Sequence, residues 1–183
     1  MADSALSWAA FLRGINVGGK HKLPMAELRA FFAELGASDV RTYIQSGNVT
    51  FRAGDVVAAE IAAAFAERAE ARFGFRVPAA VRSASELRAV LRGNPFLAAG
   101  ADEKALHVLF LADEPDPAAA AALDPERSPG DTYALRGREI YLHLPHGAAR
   151  TRLTNGYFDR VLGTSSTGRN WRTVRAVADL AGR

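Results

Sequence analysis

Residues Val40–Phe51 read VRTYIQ-SGN-VTF, two β-rich runs joined by three residues that favour a tight turn. That is a hairpin signature, and its flanks restrict the fold further. Upstream, Ser7–Arg13 reads as a buried strand and the loop GINVGGKHK follows it. Leu23-Pro24 then opens a helix in which Leu28, Phe31, Phe32 and Leu35 recur at helical spacing and Gly36 is the stop. Downstream, Asp55 caps a second helix with Val57, Ile61 and Phe65 as its apolar stripe, ending near Gly74. Phe75–Val81 is a strand that Pro78 assigns to a sheet edge. The order β-α-β-β-α-β is that of a ferredoxin-like split βαβ plait.

The order begins again after a break. A short helix (Ser85–Leu91) and the polar stretch RGNPFLAAGADEK read as a linker. Ala105–Leu111 is a strand, Pro117–Leu123 an Ala-rich helix, and Asp131–Leu135 with Glu139–Leu144 a hairpin around Arg136-Gly137-Arg138. A helix over Tyr157–Leu162 follows, and a last helix runs from about Arg169 to Leu180 with Trp171, Val174 and Val177 on its buried side. The expected architecture is therefore α+β: two tandem ferredoxin-like plaits, the second lacking its last strand or replacing it with a helix. The expected boundaries are a plait over 1–83, helix and linker over 84–104, and a second plait-like domain over 105–183.

Composition narrows the chemistry. The 183 residues include no Cys, so disulfides, thiolate catalysis, zinc ribbons and iron–sulfur clusters are excluded. No apolar run approaches the roughly 20 residues that span a bilayer, and the N-terminal run lacks the basic start of a secretion signal. A cytoplasmic protein without a membrane partner is the expectation. Charge is unevenly placed. Arg13, Lys20, His21 and Lys22 precede the first nearby carboxylate, Glu27. The segment Arg136–Arg175 is rich in arginine, and Asp113–Asp131 is acidic. Such asymmetry suits a phosphate-bearing partner, and it equally suits a solvated surface.

The runs FLRGINVGGKHKLPMAELRAFFAELGASDVRTYIQSGNVTF (11–51) and STGRNWRTV (166–174) resemble a bacterial family catalogued as domain of unknown function 1697. The resemblance is long and collinear over nearly the whole chain. It implies two ferredoxin-like plaits in a small bacterial protein and no activity. The loops it emphasises are Arg13–Lys20, Gln45–Asn48 and Thr167–Thr173. His21-Lys22 ahead of Leu23-Pro24 is a local departure from it.

Those loops supply the candidate ligand-binding residues: Arg13, Asn16, Gly18, Gly19, Lys20, Gln45, Ser46, Asn48, Thr167, Arg169, Asn170 and Arg172. Gly14–Lys20 has the spacing of a phosphate-cradling P-loop, but His21 stands where magnesium needs a hydroxyl, and Leu23, preceding a proline, delays the helix. What survives is a looser anion-binding concavity beside a helix N-terminus. The amides of Gln45 and Asn48 can address a sugar or base edge, although a hairpin alone also accounts for them. Thr164–Thr173 reads as an N-capping run. Arg169, Arg172 and Arg175 then crowd the positive end of a helix dipole, which calls for carboxylates from the acidic segment or an external anion.

The His143-x-x-His146 pair on a strand points to opposite faces, so no metal is expected, and no cofactor is implied. Ser46 and Ser166 lack an evident base. Three functions follow: a binding protein for a nucleotide, sugar phosphate or short RNA; an enzyme acting on such a ligand; or a self-associating protein with internal Arg–acid pairing. Nucleic acid ranks below a small phosphorylated ligand because the aromatic strand pattern of RNA-binding plaits is absent. No sequence feature reports the oligomeric state.

Overall fold

The computed structural model describes residues 6–18 and 21–183. The chain divides into two compact units: one runs to Ala89 and takes in Ala176–Arg183, the other is Val90–Arg175.

The first unit is built on β1 (Leu6–Leu12), whose last residues, Ala9–Leu12, are fully buried. Helix α1 (Met25–Glu34) follows, with Pro24 at its N-cap and Leu28, Phe31 and Phe32 turned inward. The chain then runs through β2 (Ser38–Tyr43), β3 (Asn48–Ala53), α2 (Asp55–Phe73) and β4 (Ala79–Ser83). The antiparallel sheet has the order β2-β3-β1-β4. β1 is paired on both edges, Ala10 facing Val49 on one side and Val81 on the other. The helices close one face through aromatic contacts. Phe65 of α2 meets the rings of Phe31 and Phe32 at 5.9 and 5.3 Å, and Phe32 meets Phe51 of β3 at 5.4 Å. Pro78 immediately precedes β4, which lies at the sheet edge as its proline requires.

The hairpin turn spans Ile44–Gly47, so β2 ends at Tyr43, two residues earlier than its β-rich composition suggests. Gly47 cannot be replaced without movement: its φ is +76°, and a Cβ there would stand 2.7 Å from Leu12 Cβ. Its carbonyl accepts the Leu12 N–H at 2.7 Å, pinning the turn to the end of β1.

Ser83 and Glu86 form a reciprocal capping box, Ser83 N–H donating to Glu86 Oε2 (2.7 Å) and Glu86 N–H to Ser83 Oγ (3.2 Å). This box starts α3 (Ala84–Arg92). The stretch read as a polar linker contains a further short helix, α4 (Pro95–Ala98), capped by Asn94.

The second unit runs β5 (Leu106–Leu111), α5 (Pro117–Ala121), β6 (Thr132–Arg136), β7 (Glu139–His143), α6 (Asn155–Leu162) and β8 (Ser166–Asn170). Helix α7 (Trp171–Ala181) follows. The sheet order is β6-β7-β5-β8, the plait order again. Its core gathers Leu109, Leu111, Ile140, Leu142 and Phe158, and the Phe158 ring meets Tyr133 edge-on at 5.5 Å.

β8 corrects the expectation that a helix stands in for the fourth strand. Ser-Thr-Gly-Arg-Asn has little β-forming composition, but an edge strand needs one partner only, and β5 supplies it: Leu111 pairs with Ser166, Leu109 with Gly168 and His107 with Asn170. The last helix therefore begins at Trp171 rather than about Arg169. Asn170 caps it, its Oδ1 accepting the Thr173 N–H at 2.8 Å. The whole fold is α+β, two four-stranded antiparallel plaits in tandem.

Burial pushes the His107 imidazole pKa below its ordinary 6.5, with the backbone of Ala105 acting more weakly in the opposite sense. Its Nδ1 is closed off from solvent with no hydrogen-bond partner, which disfavours the protonated ring.

Two outcomes test this packing. Gly47 and Gly74 share a φ of +76°, but only Gly47 has a neighbour within reach of a Cβ. Gly74→Ala should cost about 1 kcal/mol through its backbone alone. Gly47→Ala should cost distinctly more, the gap between the two in urea melts isolating the clash with Leu12. For His107, the ring is neutral in both folded and unfolded states above pH 6.5, and its contribution is complete there. As pH falls below 6.5 the unfolded chain binds the proton first and stability drops until the folded-state pKa is passed. The native chain should therefore lose stability relative to His107→Leu on acidification; a difference independent of pH between 7 and about 5 contradicts this.

Candidate functional site

The loop after β1 and the β2–β3 turn are tied together by one side chain. Asn16 donates through Nδ2 to the carbonyls of Leu23 and Gln45, both at 3.0 Å, and accepts the Leu23 N–H on Oδ1 at 2.9 Å. It does so at a φ of +55°, a conformation that asparagine tolerates better than most residues. His21 adopts φ +50°, donates from Nδ1 to the Gly14 carbonyl (3.0 Å) and stacks on Phe75 at 4.2 Å. Ile44 adopts φ +50° although it is β-branched and 55% exposed. Among the described residues four non-glycine positions have left-handed φ, and three of them lie in these two loops. Each costs on the order of 1–2 kcal/mol, and such strain concentrates where a surface is shaped for binding.

Between the loops opens a cleft of about 510 Å³ lined by Asn16, Lys22, Leu23, Pro24, Met25 and Gln45. Helix α1 starts at its wall. Pro24 offers no side-chain cap, and the first intrahelical bond runs from Leu28 N–H to Pro24 O at 3.0 Å. The amides of Met25, Ala26 and Glu27 thus have no acceptor within the helix, and the positive end of its dipole faces outward there. Glu27 answers part of that charge and pairs with Arg72 at 3.5 Å. Lys22 is exposed and has no ion-pair partner among the described residues. The cleft thus combines amides, backbone N–H groups and an ammonium group. Its described lining residues include no carboxylate, imidazole or thiol.

Of the residues singled out from sequence, Asn16 and Gln45 line this cleft. Gly18, with φ +59° and open space around it, lies two residues along the loop. Gly19 and Lys20 lie outside the described residues. Arg13 is half-buried at the end of β1, its N–H donating to Pro78 O at 2.9 Å. Ser46 sits in the turn and Asn48 opens β3: Asn48 is 1% exposed, and its Nδ2 donates to Tyr43 O and to Ser46 Oγ. Lys22 and Met25 were not singled out. Only the helix start at Met25 reveals them, because it sets which residues of the long loop abut the helix end.

In the second unit Thr167, Arg169 and Asn170 belong to β8, and Arg172 to the first turn of α7. Arg169 is therefore not at a helix N-terminus. Its guanidinium donates to Thr167 Oγ1 (2.9 Å) and Gly168 O (2.7 Å), and burial lowers its pKa to about 10, leaving it charged at neutral pH. Arg175 pairs with Glu103 at 2.7 Å, a carboxylate outside the acidic Asp113–Asp131 segment expected to answer it. Arg172 is exposed, with no ion-pair partner among the described residues. Those residues include no cluster of three or more His, Cys, Asp or Glu suited to a metal ion. No helix among them is long and apolar enough to cross a membrane.

The Asn16 clamp has a direct readout. Asn16→Gly relieves the backbone but removes three hydrogen bonds and should cost about 1–3 kcal/mol; Asn16→Ala should cost about 1 kcal/mol more, because it adds a Cβ at positive φ. In both variants the Leu23 amide should lose its protection against hydrogen exchange. Retention of that protection would show that the clamp does not hold the loop.

No curated protein matches the chain. Among solved structures, the conserved bacterial protein SP0830 from Streptococcus pneumoniae is similar over 97% of this chain and 99% of its own, with a TM-score of 0.72 and 24% identity. That likeness concerns the fold. The family model described as "Protein of unknown function (DUF1697)" matches residues 6–141, a span that holds the whole first plait, the clamp and the cleft. The chain belongs to the DUF1697 family.

Proposed function

We propose that the cleft at the start of α1 binds a small phosphate-bearing ligand, such as a nucleotide, a sugar phosphate or the end of a short RNA, without transforming it. The observation that carries this reading is the uncapped, positive end of α1 opening on a cleft of about 510 Å³ beside the exposed Lys22, which has no ion-pair partner among the described residues. A phosphate placed there accepts from the free first-turn amides and is neutralised by the ammonium group. The side-chain amide of Gln45 and the loop around Gly18 then address the rest of the ligand. The hydrogen bonds of Asn16 support the reading, since they fix both walls before any ligand arrives.

An enzyme acting on the same ligand needs a proton acceptor, and none of the described lining residues supplies one. Internal Arg–acid pairing is favoured for Arg175 by its contact with Glu103. The reading also carries a bacterial cytoplasmic setting, where phosphorylated metabolites are abundant.

Thermal melts with AMP, glucose 6-phosphate and oligouridylate at low and high salt test the proposal. The ligand that fits should stabilise the chain by roughly 2.7 kcal/mol at about 100 times its dissociation constant, and high salt should weaken the effect. Lys22→Ala should remove the stabilisation while leaving the unliganded melt unchanged, because Lys22 is exposed. A stabilisation that survives Lys22→Ala, or none with any of the three, contradicts the proposal.

A further inference from the structure

The second plait contains a cavity of about 270 Å³ on the face of its sheet that α6 covers. His107 and Leu109 of β5, Leu142 of β7 and Gly168 of β8 form a flat floor, in register across the ladder: His107 faces Leu142, and Leu109 faces Gly168. Leu144 and the loop that follows close the sides. No aspartate, glutamate, lysine or arginine lines it. Burial, moreover, disfavours the protonated form of His107.

Of the polar side chains in the lining, Thr151 and Thr154 accept backbone N–H groups of Leu153 and Tyr157, and Asn155 is oriented by a chain of hydrogen bonds. Ser166 Oγ donates to Asp159 Oδ1 at 2.6 Å, so it can only accept from Asn155, and Asn155 Nδ2 donates to it at 2.8 Å. That commits the amide orientation and turns Asn155 Oδ1 toward Gly168, 3.6 Å from where a Cβ on that glycine would stand. Gly168 is also the residue that admits the Leu109 side chain to the floor. A Cβ there would meet Leu109 Cδ2 at 2.8 Å. The glycine of the STGRN run thus has a role that charge does not describe: it lets Leu109 pack across the strand beside an oriented acceptor.

We propose that this pocket binds a small, flat, uncharged molecule whose apolar body lies on the leucine-lined sheet and whose single N–H or O–H donates to Asn155 Oδ1. Neutral heteroaromatic compounds are the class that fits. Charged ligands are disfavoured, because nothing in the lining repays their loss of hydration. The site is independent of the cleft beside α1.

Indole, with its carbocyclic isostere indene as the control lacking the donor, is the probe. Amide NMR spectra should show saturable shifts with indole at His107–Leu109, Leu142–Leu144, Asn155 and Gly168. Indene should bind about tenfold more weakly, the cost of leaving the acceptor unpaired. Asn155→Leu should erase the difference between the two. Ala148→Trp, a change on the exposed loop at the pocket lining that leaves the core untouched, should block both. Absence of saturable shifts, equal affinity for indole and indene in the native chain, or binding indifferent to Ala148→Trp overturns the proposal.

Discussion

Each sheet depends on a central strand that is hydrogen-bonded along both edges, β1 in the first plait and β5 in the second. A strand in that position has no free backbone groups and little room for side chains on either face. Ala9, Ala10, Phe11 and Leu12 satisfy the demand in one unit, and Val108, Leu109, Phe110 and Leu111 in the other. With the middle of each ladder committed, the outer strands are released from the same requirement. β2 is largely exposed, and β8 carries serine, threonine, glycine and arginine. The polar and small residues available for binding therefore collect at the edges and in the loops that leave them.

This division explains what the sequence disclosed and what it hid. The first plait was legible because every signal in it is local: Pro24 before α1, Leu28, Phe31 and Phe32 at helical spacing, Gly36 after the helix, and the hairpin around Gly47. β8 was not, because its strand character is borrowed from β5 through the ladder and is absent from its own composition. Read alone, Thr164–Thr173 resembles an N-capping run. One residue of it does cap a helix, Asn170, but the five residues from Ser166 to Asn170 are first a strand. That shift moves Arg169 off a helix end and changes what its charge can mean.

The candidate cleft was half legible. Asn16 and Gln45 stand out in glycine-rich and turn sequences, and both line it. Their relation was not readable, since it rests on one side chain bridging residues 29 positions apart in sequence. Lys22 was visible as charge only; its place beside the helix end follows from where α1 begins. The acidic segment was expected to answer the arginines, yet Arg175 is met by Glu103, which lies in the stretch read as a polar linker.

The open end of α1 is proposed as an anion site. Amide NMR spectra recorded during a titration with AMP test it most directly. An anion seated there should give saturable shifts of the Met25, Ala26 and Glu27 amides, with Lys22 and Gln45 moving at the same apparent affinity. Unmoved first-turn amides, with the shifts gathered elsewhere in the chain, would contradict it.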